Sequence, residues 1–238
     1  MGRADGVGAM SVGIPGQSTN SPRENDRIRA LTRNSYDVVM RLPLTLLAAY
    51  FLWREWEALE SARDLLRVAV HVATMLFLVL IAGFTLARRR PVRRSVGPWP
   101  RFAALAGLLL LYTLMLLPRA APDPRWDAPA LGLLLFGQFF CVVTLLQLGR
   151  SLSVMPEARH LVTAGLYGRI RHPLYLAEAI ATLGVLLQFR SIEALLLVVL
   201  QFCIQLWRMR EEEKVLEAAF PEYGQYRSRT ARLIPGVY

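Results

Sequence analysis

The feature that most constrains the fold of this chain is a series of apolar stretches, each close to the length of a membrane-spanning helix. A helix needs about 20 mostly apolar residues to cross the hydrocarbon layer of a bilayer. The chain is 54% hydrophobic, and this excess is clustered, which distinguishes membrane spans from a large soluble core. Six stretches approach the required length: 38–56, 65–87, 102–118, 128–148, 174–189 and 192–207. The sequence therefore predicts an all-α, polytopic membrane bundle of about six spans.

Two details of this series affect the prediction. Arg41 and Pro43 interrupt the first stretch, but an arginine can extend its guanidinium group to the membrane surface, so the span is retained. The last two stretches are short and are separated only by Arg190 and Ser191. We expect them to form a helical hairpin.

The distribution of arginine predicts the orientation of the spans. Six arginines lie within 88–101, between the second and third spans, and four lie within 23–33. The connection after the first span instead carries three glutamates within 55–60. Because connections rich in Lys and Arg stay on the cytoplasmic side, six crossings place both termini and segment 149–173 in the cytoplasm. The expected location is a bacterial inner membrane, since all but one of the basic residues are arginine.

The remaining composition argues against several other classes. The net charge is +10, but the arginines lie between apolar stretches, so topology accounts for them and no nucleic-acid partner is expected. Cys141 and Cys203 have no Cys or His at ligand spacing, so neither a disulfide framework nor a metal site is suggested. Residues 1–36 lack the apolar segment of a secretory signal and are expected to form a disordered, basic cytoplasmic tail. No span carries a small-residue face convincing enough to predict an oligomer.

Two polar stretches are candidates for chemistry, and the predicted topology brings them to the same side of the membrane. The first leads from His160 to Arg171, His172 and Pro173. Proline is common in the first turn of a helix, so spacing alone slightly favours a structural interpretation. An Arg-His pair beside a glycine-containing turn at a helix N-terminus also suits an anionic ligand group.

The second polar stretch follows the last span and contains Glu211, Glu212 and Glu213. A short run of charge is usually a solvated helix face. However, the run starts four residues after Trp207, at the membrane surface, and Arg208 precedes Glu212 by one helical turn, so the two can pair. A carboxylate oriented by an arginine could bind a cationic group.

Other polar residues lie inside the predicted spans. Glu178 is about one turn inside the fifth span, and an intramembrane carboxylate indicates function unless it is shallow enough to reach headgroup water. His71 is expected to form an interhelical hydrogen bond. For the same reason four glutamines are expected to line the bundle interior, namely Gln138, Gln147, Gln201 and Gln205.

Together the two stretches resemble the isoprenylcysteine carboxyl methyltransferase family, which is related to the phospholipid N-methyltransferases. The resemblance covers roughly residues 145–238, and the order and spacing of its motifs make the combination fairly specific. The motifs are LGRS at 148–151, HLVT at 160–163, GxY at 165–167, RHPxY at 171–175, RxxxEExxL at 208–216 and FxxYxxY at 220–226.

This resemblance implies a membrane-embedded methyltransferase that uses S-adenosylmethionine and lacks the soluble Rossmann fold. It divides the chain into the tail (1–36), N-terminal spans (37–148) and a catalytic region (149–238). The implied cofactor-binding residues are His160, Leu161, Gly165, Tyr167, His172, Tyr175 and Glu212. The implied catalytic residues are Arg171, His172, Arg208 and Glu213, with Arg171 and Arg208 where cofactor and acceptor meet.

The chain departs from the family pattern at three places. Leu166 stands where the family often has proline, Pro221 stands where it often has glycine, and Arg190-Ser191 replace an Asn-Pro pair in the hairpin turn. The third departure removes an acceptor-side feature and weakens the case for prenylcysteine as acceptor. The expected acceptor is a lipophilic or lipid-like molecule that carries a carboxyl, thiol or amine group and enters from the membrane lipids.

Two other functions fit parts of the sequence. A membrane reductase of the sterol-reductase type has a comparable C-terminal end and uses NADPH, whose extra phosphate the arginines could bind. A non-catalytic scaffold or transporter subunit is disfavoured because the sequence shows no internal repeat and groups its polar residues at one face. The RHPxY and RxxxEE motifs favour methyl transfer.

Overall fold

The computed structural model of the chain describes residues 22–236, with side chains from residue 41 onward except at 101, 108, 109, 111, 112 and 115. Within this part, seven α-helices dominate: α1 (Pro22–Ser61), α2 (Leu65–Ala87), α3 (Trp99–Met115), α4 (Pro124–Leu148), α5 (Pro173–Phe189), α6 (Ile192–Ala219) and α7 (Tyr223–Arg229). A two-stranded ribbon pairs β1 (Arg93–Arg94) with β2 (Glu157–Ala158), and two 3-10 turns lie at Gly149–Ser151 and Gly165–Gly168.

Three of the described helices, α2, α4 and α6, are long and apolar enough to cross a membrane, and α5 is a shorter apolar helix. The prediction of an all-α membrane helical protein is therefore confirmed. The count of about six spans, which also needs α1, α3 and α5 to cross, stays a prediction.

The chain forms two units, Met1–Met40 and Arg41–Tyr238. In the first unit the structure describes residues 22–40, which belong to α1. Helix α1 thus begins inside the segment 1–36 that the sequence predicts to be a disordered tail, and the rest of that segment, 1–21, lies outside the described residues. Its start at Pro22 agrees with the preference for proline in a first helical turn.

Polar side chains fix where the apolar helices begin. At α2, the Asp64 carboxylate accepts a hydrogen bond from the Arg67 amide (2.8 Å). Asp123 and Ser191 cap α4 and α6 in the same way. Between α5 and α6, Arg190 adopts the left-handed conformation with φ of 47°. This tight turn confirms the predicted helical hairpin.

Helices α4 and α5 approach each other closely through small residues. A Cβ atom on Gly137 of α4 would lie 2.5 Å from the backbone nitrogen of Ala181 on α5. A Cβ atom on Gly184 of α5 would lie 2.7 Å from the carbonyl oxygen of Ala130 on α4. Close packing is a main source of helix association in lipid, so these two contacts fix the position of α5.

The connections between helices collect at two ends of the second unit. The polar end contains 88–98, 149–172 and 220–236, and the opposite end contains 116–123 and 190–191. At the polar end, β1 pairs with β2 and the Arg89 amide donates to the Arg150 carbonyl (2.9 Å). At the opposite end, the Ala120 amide donates to the Gln188 carbonyl (3.0 Å). The arginine-rich connection and segment 149–172 therefore lie at the same end, as the predicted topology requires.

Candidate active site

The RHPxY stretch forms the beginning of α5 at the polar end. Pro173 occupies the first helical turn, where its missing N–H leaves no unpaired donor. His172 precedes the helix, is only 5% exposed, and makes no capping hydrogen bond with its side chain. The imidazole is therefore held by partners outside its own helix.

Glu213 on α6 supplies one of these partners and is the centre of a charged cluster. Its Oε1 accepts from Arg171 Nε (2.8 Å) and lies 3.2 Å from His172 Nε2. Arg232 completes the cluster, since its Nη2 donates to Glu213 Oε2 (2.7 Å) and its Nε to Oε1 (3.1 Å). Two guanidinium groups balance the charge of this buried carboxylate, as a buried ion requires.

Glu212 precedes Glu213 but faces a different side of α6. Its Oε1 accepts a hydrogen bond from Tyr175 Oη, and its Oε2 lies 3.9 Å from His172 Nδ1. His172 thus stands between two carboxylates, one on each ring nitrogen. Successive helical residues differ by about 100° in direction, which explains why the two glutamates have separate partners.

Arg208 lies one turn before Glu212 on α6. Its guanidinium carbon is 5.3 Å from the centre of the Tyr175 ring, within cation–π distance, and its Nη2 donates to the Val154 carbonyl (3.2 Å). In the described part of the chain it does not form the ion pair with Glu212 that its spacing allows. The physical reason is that Tyr175 lies between the two, offering its ring to Arg208 and its hydroxyl to Glu212.

These side chains surround one end of a cavity of about 480 Å³, a size typical of ligand sites. The lining at the polar end includes His160, Leu161, Tyr167, Arg171, His172, Tyr175, Arg208, Glu212, Tyr223 and Tyr226. The deeper part is mostly apolar, with Leu44, Phe51, Phe77, Ile81, Leu134 and Val185 among its residues, and it also contains Gln138, Glu178 and Gln201. Along α4 the lining extends from Leu148 to Leu134, which corresponds to a depth of about 21 Å.

The structure brings most of the predicted site residues together but leaves two off the cavity wall. Neither Gly165 nor Glu213 is among the described residues that line the cavity. Gly165 has a φ of +63° and leaves room for Gln147, whose Oε1 accepts from the Leu166 amide (2.9 Å). Glu213 is turned toward Arg232, and its predicted catalytic role stays a prediction.

Two tyrosines of the C-terminal segment close the polar part of the cavity. Tyr226 Oη donates to the Tyr167 carbonyl (2.7 Å). Burial raises the pKa of Tyr226 to about 12. Burial, with the nearby charge of Glu213, also raises the pKa of Tyr223 above its usual value. Both phenols therefore stay protonated donors at neutral pH.

Of the polar residues predicted inside the spans, His71, Glu178 and Gln205 have identifiable hydrogen-bond partners. His71 Nδ1 lies 2.7 Å from Glu55 Oε2 on α1, which confirms the predicted interhelical hydrogen bond. Glu178 lines the cavity and accepts from Gln205 Nε2 (3.1 Å). Gln138 and Gln201 also line the cavity, as expected for residues of the bundle interior.

Sequence reasoning missed Arg232 and the carbonyl of Val154. Arg232 lies in a segment without helical or strand periodicity, so only its charge could have drawn attention to it. Within residues 22–236, no group of three or more His, Cys, Asp or Glu side chains is placed to hold a metal ion.

Comparison with known proteins agrees with the motifs. Residues 128–223 match the family model of the phospholipid methyltransferases, so this part of the chain is similar to that family. The matched range runs from α4 to the start of α7 and contains RHPxY and RxxxEE. The resemblance predicted from these motifs is confirmed.

Three curated proteins are similar to parts of the chain. The protein-S-isoprenylcysteine O-methyltransferase of Schizosaccharomyces pombe is 31% identical over 121 residues, 46% of this chain. The cobalt-zinc-cadmium resistance protein CzcN of Cupriavidus metallidurans is 31% identical over 116 residues, 47% of this chain. The nickel-cobalt-cadmium resistance protein NccN of Alcaligenes xylosoxydans xylosoxydans is 26% identical over 148 residues, 60% of this chain. The matches span 50%, 54% and 65% of these relatives' own lengths, respectively.

Proposed function

We propose that the chain is an integral membrane methyltransferase that uses S-adenosylmethionine to methylate a lipophilic acceptor. The observation that carries the proposal is that one cavity combines a polar end, to which RHPxY and RxxxEE contribute, with a deeper, mostly apolar part. A polar, charged cofactor suits the first part, and a lipid-like acceptor suits the second.

The polar part fits the cofactor by the chemistry of its side chains. S-adenosylmethionine carries an ammonium group and a carboxylate group. The side chain of Glu212 can form an ion pair with the cofactor's ammonium group. Donors for the carboxylate group are His172, His160 and two buried atoms without a hydrogen-bond partner among the described residues, Arg208 Nε and Tyr223 Oη. When bound, the cofactor supplies a methyl group on a positively charged sulfur.

The protein's own contribution is alignment and the exclusion of water. Arg208 stands at the boundary between the polar and apolar parts of the cavity, with Arg171 on the polar side. These two guanidinium groups can orient an acidic acceptor, which arrives ionised and needs no base. A thiol or amine acceptor must lose a proton. For such an acceptor we assign His172 Nδ1, which faces Glu212, to accept that proton, and the cofactor's carboxylate is then held by the other donors.

The acceptor is proposed as a lipid-like carboxyl, thiol or amine compound that enters from the membrane. One relative is named for its action on S-isoprenylcysteine, and two are named for metal resistance, so the relatives do not agree on one acceptor. The location is proposed as a bacterial inner membrane with both termini in the cytoplasm, on the basis of the arginine distribution.

Calorimetric binding of S-adenosylhomocysteine and of NADPH to the detergent-purified protein tests this proposal. We expect S-adenosylhomocysteine to bind and Glu212→Gln to weaken it strongly, because the variant removes the charge that faces the cofactor's ammonium. Glu217→Gln is the matched control, since Glu217 lies on the same helix but is 56% exposed and lies outside the described lining. Binding of NADPH alone would favour the reductase, and binding of neither compound would contradict both enzymes.

A further inference from the structure

We propose that Arg232 is a positioning residue of the cofactor site, which acts through Glu213 on Arg171 and His172. The inference rests on the proposed function and extends the site beyond residues 128–223, where the family match ends. It assigns a role to the C-terminal strap, defined as residues 230–232.

The strap is bonded to the backbone immediately before α5. The Arg171 amide donates to the Ala231 carbonyl (2.8 Å), and the His172 amide donates to the Arg232 carbonyl (3.2 Å). In return, the Ala231 amide donates to the Arg169 carbonyl (3.1 Å). The backbone of the RHPxY turn is therefore held in place by the C-terminal segment of the chain.

The side chains repeat this connection. Arg171 Nη1 donates to the carbonyls of Thr230 and Arg227, while its Nε donates to Glu213. Arg232 binds both oxygens of the same carboxylate, a two-point contact that restricts rotation. Glu213 is thus fixed from the strap side and presents Oε1 to Arg171 and His172.

Glu213 is buried behind the wall of the cavity. It is 4% exposed and does not belong to the described lining. Its influence on cofactor binding must pass through Arg171 and His172, which do line the cavity. The two neighbouring glutamates therefore have different tasks: Glu212 faces the cavity, and Glu213 holds the residues beside it.

Without the Arg232 guanidinium, the negative charge of the buried Glu213 carboxylate is balanced by Arg171 with one positive partner fewer. Glu213 and the groups bound to it must therefore rearrange. In metal sites, removing an outer partner that orients a metal-bound histidine typically costs about ten- to a hundredfold in affinity or activity, and we take the same scale here. We expect a loss of that size in the affinity for S-adenosylhomocysteine in Arg232→Met. Arg232→Lys keeps the charge but not the two-point contact and should recover only part of the affinity.

A double-mutant cycle on the full-length, detergent-purified protein tests the inference. S-adenosylhomocysteine binding is measured by calorimetry for the parent, Arg232→Met, Glu213→Gln and the double variant. If Arg232 acts through Glu213, its substitution changes affinity less than about twofold once Glu213→Gln is present. Arg229→Met is the control, because Arg229 lies in the same segment but is exposed. Equal affinity of the parent and Arg232→Met would overturn the role of Arg232. So would a double variant whose loss of affinity equals the sum of the losses in the two single variants.

Hydrogen exchange of the peptide that contains Arg171 and His172 gives a second readout that needs no ligand. We expect faster exchange in Arg232→Met than in Arg229→Met, with the rest of the bundle unchanged. Unchanged exchange of this peptide would overturn the connection through the strap. A parent protein that binds no S-adenosylhomocysteine would instead overturn the proposed function.

Discussion

The contact between α4 and α5 predicts that Gly137→Ala destabilises the protein. The added Cβ would lie 2.5 Å from Ala181 N and 2.8 Å from both Ala181 Cα and Ala181 Cβ. Carbon atoms in ordinary contact are about 3.5–4.0 Å apart, so the two helices must separate by roughly an ångström at this point. Neither helix can yield locally, because the closest atom belongs to the backbone and Gly184 forms a second close contact along the same interface.

Overpacking of this kind typically costs about 1–3 kcal/mol. For a chain of this size, each kcal/mol lowers the unfolding temperature by roughly 2–4 °C, so we expect a decrease of about 2–12 °C. The assay is thermal unfolding in detergent, followed by intrinsic tryptophan fluorescence. Gly132→Ala is the matched control, since Gly132 lies on the same helix with nothing within 4 Å of its Cβ position.

The double variant Gly137→Ala/Ala181→Gly sharpens the test. It removes the contact between two Cβ atoms but leaves the clash with the Ala181 backbone nitrogen, so most of the loss should remain. If Gly137→Ala unfolds within about 1 °C of Gly132→Ala, the close approach of α4 and α5 is wrong.

Two further predictions concern the loop at the polar end and the topology. Gly165→Ala should lower the unfolding free energy by about 2–3 kcal/mol. An alanine in the left-handed backbone conformation costs roughly 1–2 kcal/mol, and loss of the hydrogen bond between the Leu166 amide and Gln147 costs about 1 kcal/mol more. Gly97→Ala, with a φ of +87° and open space around it, should lose only a backbone contribution, and equal losses would contradict this account. In a background of Cys141→Ala and Cys203→Ala, cysteine reagents should label Arg90→Cys and Ser228→Cys from the cytoplasm and Arg119→Cys from the opposite side. Labelling of Arg90→Cys and Arg119→Cys from one side would refute a crossing by α3.

The apolar helices, the hairpin and the meeting of the two motifs could be predicted from the sequence. Hydrophobic length identifies a span without any knowledge of its neighbours. The hairpin then places 171–175 and 208–213 at the same end, because α5 and α6 are antiparallel and similar in apolar length. Topology alone is therefore enough to predict that His172, Tyr175 and Glu212 are neighbours.

Features that depend on which helices touch could not be predicted in this way. Ala130 and Gly137 lie seven residues apart on α4, a spacing that keeps them on one face. This face acquires meaning only when Ala181 and Gly184 lie opposite it, and no local pattern pairs α4 with α5. The position of Arg232 is similar, since a two-point contact with Glu213 needs the tertiary path of the chain after α7.

The proposed function requires a charged cofactor and an apolar acceptor to meet in one cavity, and the depth of the candidate site allows this. Tyr175 lies two residues inside α5, which places its backbone only about 3 Å beyond the helix start. At this level a charged cofactor can stay within reach of water, whereas deeper burial of an unpaired charge would be very costly. The apolar lining continues below Arg208 for much of the roughly 30 Å hydrocarbon thickness. Under the proposed function, a lipid-like acceptor would therefore keep its chain in the bundle while its reactive group meets the cofactor at the polar end. Arg208, next to Tyr175, is the level at which we propose that the two meet.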